Sequence, residues 1–96
     1  MTTLHLIRDN TLINNSVHLA LTNIAPDDIV VLIDDGCYNV EQVLMSSIQA
    51  VLPITQCYAI KSHLCARALP TDNITLINYE QLVDLIFIHN NVITWQ

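Results

Sequence analysis

Four consecutive residues, Asp34-Asp35-Gly36-Cys37, bring together two carboxylates, the only glycine of the chain and a thiol. Paired carboxylates are the raw material of acid–base catalysis, and a thiolate that of nucleophilic chemistry. Each also has a plainer reading. Carboxylates beside a helix start are stabilised by the helix dipole with no catalytic role, and this outweighs the acid–base reading. Cys37 precedes a predicted helix, which favours ionisation, but Asp34 and Asp35 oppose it, so the sequence leaves the direction of its pKa open. Reactive thiols need electropositive surroundings; Cys37 is therefore read first as a partly buried bystander and only second as a working nucleophile. Cys57 falls in a predicted strand and is read as core, whereas Cys65 sits at an exposed position of a short helix beside Arg67. Three cysteines without a CxxC pair suggest neither a disulfide framework nor a zinc knuckle. His5 is read as a satisfied core histidine, and His18, His63 and His89 lack i, i+4 partners, so no metal site is expected. No catalytic residue is assigned.

The elements that must position these groups alternate between strand and helix. Residues 3–7 form a short apolar strand. Arg8-Asp9-Asn10 then turns into a helix running to about Leu21, with Ile13, Val17, Ala20 and Leu21 on one face. Pro26 breaks the chain before a β-branched run over residues 28–33, whose lack of alternation marks a strand covered on both faces. Asn39 stands three residues before Gln42, a capping-box spacing, and opens a helix through Val40, Val43, Leu44, Ile48 and Val51 that Pro53 ends. Residues 57–60 are a third strand, followed by a short helix from a Ser62 cap to Leu69, before Pro70. Residues 74–77 are a fourth strand. Asn78, again three residues before a glutamine, Gln81, caps a last helix with Tyr79, Leu82, Val83, Ile86 and Phe87 on one face and Leu85 and Ile88 off it. Residues 92–95 close the chain as a fifth strand. The pattern predicts one α/β domain over residues 1–96, a three-layer α/β/α sandwich of Rossmann-like form with a mainly parallel sheet of about five strands. In such sheets sites form beyond the carboxyl ends of the strands, where Asp34-Asp35-Gly36-Cys37 falls.

Composition limits the functions available. Charged residues make up 12% of the chain against 52% hydrophobic ones, about half the charge of an ordinary soluble domain. The excess apolar surface calls for other subunits, and self-association of the isolated chain is expected. A net charge of −6, with only Arg8, Lys61 and Arg67 as fixed cations, argues against direct binding of a nucleic-acid phosphate backbone. A single glycine argues against a phosphate-cradling loop and hence against a nucleotide or flavin cofactor; no cofactor is expected. The apolar runs are shorter than a membrane span, and the start at Met1 lacks a basic signal-peptide region, so a cytoplasmic protein is expected.

Taken in order, Leu4-His5, Leu32-Ile33-Asp34-Asp35-Gly36, Tyr58-Ala59-Ile60, Ala66-Arg67-Ala68-Leu69, Ile77-Asn78-Tyr79, Val83-Asp84-Leu85 and the terminal Thr94-Trp95 resemble the TusB/DsrH family of sulfur-relay proteins nearly end to end. The resemblance implies a small Rossmann-like, DsrEFH-like subunit. It implies assembly with TusC-like and TusD-like paralogues into a heterohexamer that takes sulfur from a TusA-like donor. A TusE-like acceptor then passes the sulfur on for 2-thiolation of the wobble uridine of tRNA. In that branch the transferring cysteine belongs to the TusD-like subunit, so a structural rather than an enzymatic role is implied here. DsrH-like members acting in sulfur oxidation commonly carry a cysteine in the first helix; the segment Ser16-Val17-His18-Leu19-Ala20-Leu21 has none, which favours the TusB side. Two other readings stand beside it: a persulfide carrier in sulfur oxidation using Cys37, and a small-ligand binder of flavodoxin-like fold.

Overall fold

The computed structural model describes residues 2–8, 24–41, 43–89 and 91–95. Five strands, β1 (Thr3–Ile7), β2 (Ile29–Leu32), β3 (Cys57–Ile60), β4 (Thr75–Ile77) and β5 (Asn91–Trp95), form one sheet in the order β4-β3-β2-β1-β5. Every pairing is parallel, with Leu4 opposite Ile29, Val30 opposite Cys57, Ala59 opposite Leu76 and Ile7 opposite Trp95. Three α-helices are described: α1 (Val43–Gln49), α2 (Lys61–Ala66) and α3 (Tyr79–Ile88). The helix expected between Asn10 and Leu21 lies outside the described residues.

Alternation of side chains along the strands divides the core in two. Ile7, Val30, Leu32, Cys57 and Ala59 pack on one face of the sheet with Met45 and Ile48 of α1, Leu52, and Leu64 of α2. Leu4, Val31, Ile60 and Ile77 pack on the other with Leu82 of α3. Three layers result, and β2 is buried on both sides, as its unbroken β-branched run requires.

Several local expectations differ from the structure, among them the starts of β4 at Thr75 and of β5 at Asn91, each one residue from the expected bound. β2 is one residue shorter at each end than residues 28–33: the Asp28 N–H turns back to the Ala25 carbonyl, and Ile33, its N–H still bonded to the Ile7 carbonyl, leads into the turn. The helix expected from Asn39 opens instead as a 3-10 helix over Asp34–Glu41, with Asn39 buried within it, and the capping partner Gln42 lies outside the described residues. The tight 3-10 path carries Gly36 and Cys37 into the core at the end of β1. Ser62 is not a cap, since α2 starts at Lys61 directly from the extended Ile60. The same helix stops at Ala66 rather than Leu69. Ala68 adopts a left-handed conformation with φ 53°, its N–H donates to the Cys65 carbonyl at 3.1 Å, and the Leu69 N–H donates to the Leu64 carbonyl at 3.0 Å. This is a Schellman termination with alanine where glycine is usual. By contrast, the Asn78–Gln81 capping box forms reciprocally, each side chain accepting the other's backbone N–H at 2.9 Å.

Candidate functional site

The carboxyl ends of β1 to β4 deliver Arg8, Asp34, Asp35, His63, Arg67 and Tyr79 to one rim of the sheet. The turn after β2 is set by close packing. The Ile33 N–H donates to the Ile7 carbonyl at 3.0 Å, and a Cβ on Gly36 would lie 1.9 Å from that same carbonyl oxygen. The left-handed residue of the turn is Asp34, at φ 49°, not the glycine. Gly36 is therefore required for space, and its N–H is spent on the Ile33 carbonyl at 2.9 Å. A turn so occupied does not present converging N–H groups to an anion.

Each carboxylate is taken up by a different arginine. Arg8 Nε and Nη2 both lie 3.2 Å from Asp34 Oδ2. Arg67 Nη2 donates to Asp35 Oδ1 at 3.1 Å, its Nη1 donates to the His63 carbonyl at 3.2 Å, and its guanidinium lies 5.9 Å from the centre of the Tyr38 ring. The Asp34–Arg8 pair is half exposed, so it is worth about 0–1 kcal/mol and fixes geometry more than stability. Asp34 also donates its backbone N–H to His63 Nδ1 at 2.9 Å, with its Oδ1 3.8 Å from that nitrogen. The accepting Nδ1 places the ring proton on Nε2, which therefore donates to the Tyr79 hydroxyl. Asp34 and Asp35 are thus salt-bridge anchors of the rim, held by arginines rather than by a helix dipole alone.

Cys37 lies behind this rim with no exposed surface, its Sγ donating to the Leu32 carbonyl at 3.6 Å. Burial pushes the thiol up to about 11; Arg67 pulls the other way, while Asp34 and Asp35 add to the rise. The balance that the sequence leaves open is thereby settled by desolvation, which neither the helix start nor the carboxylates supply. Cys57 is likewise buried and raised to about 11 by desolvation. Cys65 is exposed and lines a cleft of about 370 Å³ with Lys61, Ser62, Ile77, Asn78 and Tyr79. At pH 8 a thiol with a pKa of about 11 is ionised in about one molecule in a thousand. Iodoacetamide at that pH is expected to label Cys65 and leave Cys37 and Cys57 unmodified until the protein is denatured, as read by peptide mass spectrometry. Labelling of native Cys37 at the rate of Cys65 would contradict this burial.

His5 is fully buried, with Nε2 2.9 Å from Asp28 Oδ2 and Nδ1 accepting from Trp95 Nε1 at 3.1 Å, a satisfied core histidine. Trp95 stacks on it at 6.2 Å and packs against the core. His89 Nδ1 lies 2.7 Å from the Leu85 carbonyl, and His18 lies outside the described residues. No group of three or more His, Cys, Asp or Glu side chains able to hold a metal occurs among the described residues, and no described helix is long and apolar enough to cross a membrane. The sequence reading missed the Asp34–His63–Tyr79 chain and the Arg67–Asp35 pair. The available signal was the i, i+4 spacing of His63 and Arg67 on the helix that leaves β3.

These features define a small parallel α/β protein whose strand-end rim is closed by ion pairs and whose rim thiol is sealed. The family model described as "DsrH like protein" matches residues 12–92, and the chain belongs to this family. Membership carries a sulfur-relay role in general terms. Among solved structures, the chain is similar to the solution NMR structure of Protein Tm0979 from Thermotoga maritima, with a TM-score of 0.63 and 24% identity over 91% of this chain and 93% of that one. That likeness is one of fold. No curated protein matches the chain.

Proposed function

We propose that the chain is a non-catalytic subunit of a TusBCD-type sulfur-relay complex in the cytoplasm that supports 2-thiolation of the wobble uridine of tRNA. In this reading it assembles with TusC-like and TusD-like paralogues, and sulfur passes from a TusA-like donor to a TusE-like acceptor through the TusD-like subunit. The observation that carries the reading is the state of Cys37. A relay thiol must ionise, attack an incoming sulfur and release it, whereas Cys37 has no exposed surface and a pKa of about 11. A persulfide carrier using Cys37 loses support on the same ground. A small-ligand binder loses support from a rim whose only glycine is packed against a carbonyl and whose carboxylates are tied to arginines. Two of the three fixed cations are engaged in those pairs, which leaves little with which to follow a phosphate backbone.

The test is complementation in cells lacking the native copy, with 2-thiouridine in total tRNA measured by mass spectrometry. Deletion of the subunit is expected to abolish thiolation, and Cys37→Ser to restore it to near the wild-type level. Loss of thiolation in Cys37→Ser with the complex still assembled would show that this chain handles sulfur itself.

A further inference from the structure

The helix α3 carries seven apolar side chains in ten positions, yet only Leu82 is buried and only Leu85 is half-buried among them. Tyr79, Val83 and Phe87, spaced by four, form one row along the helix, and they are 58%, 47% and 85% exposed. Ile86, in the adjoining row with Leu82, is also exposed. On the sheet face that α3 covers, Leu6, Ile29 and Ile33 are only half-buried, and among the described helices α3 is the one that packs there. A ridge of this kind is what a second helix or sheet packs upon, and side chains such as Phe87 hold their place at the surface of an isolated chain at a cost in solubility.

The charges beside the ridge select the occupant. The next row of α3 carries Glu80 and Asp84, one turn apart and both exposed, and the helix has no Lys or Arg. Arg8 and Arg67 are paired with Asp34 and Asp35 at the strand-end rim, and Lys61 stands at the start of α2. If a second copy packed its own α3 antiparallel across a two-fold axis, each flanking row would meet its own duplicate. Glu80 and Asp84 would then face Asp84 and Glu80 with no cation on either helix to separate them, and like charges across an interface disfavour the pairing.

We propose that the Tyr79–Val83–Phe87 ridge is the docking surface for a different polypeptide, one that presents an apolar face bordered by Lys or Arg side chains opposite Glu80 and Asp84. This rests on the subunit reading above and identifies the surface through which that subunit is held.

The experiment co-expresses the chain with the TusC-like and TusD-like chains of the same genome and measures assembly by size-exclusion chromatography with mass determination. Val83→Glu and Phe87→Glu, both at exposed positions, are checked for unchanged circular dichroism and thermal unfolding. Each is expected to weaken assembly by about tenfold or more, the scale of a central interface side chain. The pair Glu80→Lys with Asp84→Lys is expected to weaken it as well and to remove part of its salt sensitivity. Folded Val83→Glu and Phe87→Glu variants that assemble like wild type would overturn the surface while leaving the subunit reading in place. A wild-type chain that assembles with neither paralogue would overturn the subunit reading and this surface with it. An isolated wild-type chain that is a stable dimer, made monomeric by Phe87→Glu, would overturn the proposal in favour of a second copy as occupant.

Discussion

Gly36→Ala is expected to cost about 3 kcal/mol or more of unfolding free energy, at the upper end of what overpacking a core produces. The added Cβ would sit 1.9 Å from the Ile7 carbonyl oxygen and 2.6 Å from its carbon. Both are backbone atoms of β1, a strand paired on both sides, so neither can swing away as a flexible side chain would. Relief requires the Asp34–Glu41 helix to lift off the end of β1, which strains the Ile33 N–H bond to the same carbonyl and uncovers Cys37. Urea unfolding followed by circular dichroism measures the cost, and native Cys37 should become open to iodoacetamide in whatever fraction still folds. A variant within about 1 kcal/mol of wild type, the size of an ordinary surface change, would mean that the turn can shift freely and that Gly36 is there for another reason.

That glycine illustrates what the sequence conceals. Its place after a β-branched run made a turn legible, but the left-handed residue is Asp34, and the need for glycine comes from a carbonyl 29 positions earlier in the chain, Ile7. Features settled by near neighbours were readable: β1 and β3 at their observed bounds, and the Asn78–Gln81 capping box. The α-helical start expected at Asn39 was not, because the segment Asp34–Glu41 is a 3-10 helix that buries Gly36, Cys37 and Asn39. Periodicity showed that α3 is apolar over a wide arc, but not which row meets the sheet; that depends on how the β4-to-β5 crossover sets the helix down, and the result is a buried Leu82 beside an exposed Phe87. The rim pairs were hidden for a similar reason, since Arg8–Asp34 and Asp35–Arg67 join positions 26 and 32 apart.

Asp28→Ala is expected to destabilise the protein by about 3 kcal/mol at neutral pH, because it strands three donors that the carboxylate satisfies. Oδ1 accepts the Thr3 N–H at 3.1 Å, and Oδ2 accepts the Ala25 N–H at 2.9 Å and the His5 Nε2 proton at 2.9 Å. The His5 proton is on Nε2 because Trp95 Nε1, which can only donate, occupies Nδ1. One carboxylate therefore ties the start of β2 to β1 and, through His5, to the end of β5. Burial pushes the Asp28 carboxyl up, but the bonds from Ala25, His5 and Thr3 together outweigh it and hold it below the usual carboxylate range. A carboxyl lowered by folding contributes its full stabilisation above its unfolded pKa, about 4, and loses it as the pH falls through the folded value. Wild-type stability should thus decline on acidification below about pH 5, and Asp28→Ala, already lacking the contribution, should show a shallower decline. Urea unfolding at neutral pH and at successively lower pH separates the two chains. An alanine variant with the wild-type midpoint at neutral pH and an unchanged acid response would show that Asp28 does not hold the strand junction. Asp28→Asn keeps one acceptor oxygen but turns an amide donor toward either the Thr3 N–H or the Ala25 and His5 donors, so its loss should fall between wild type and alanine.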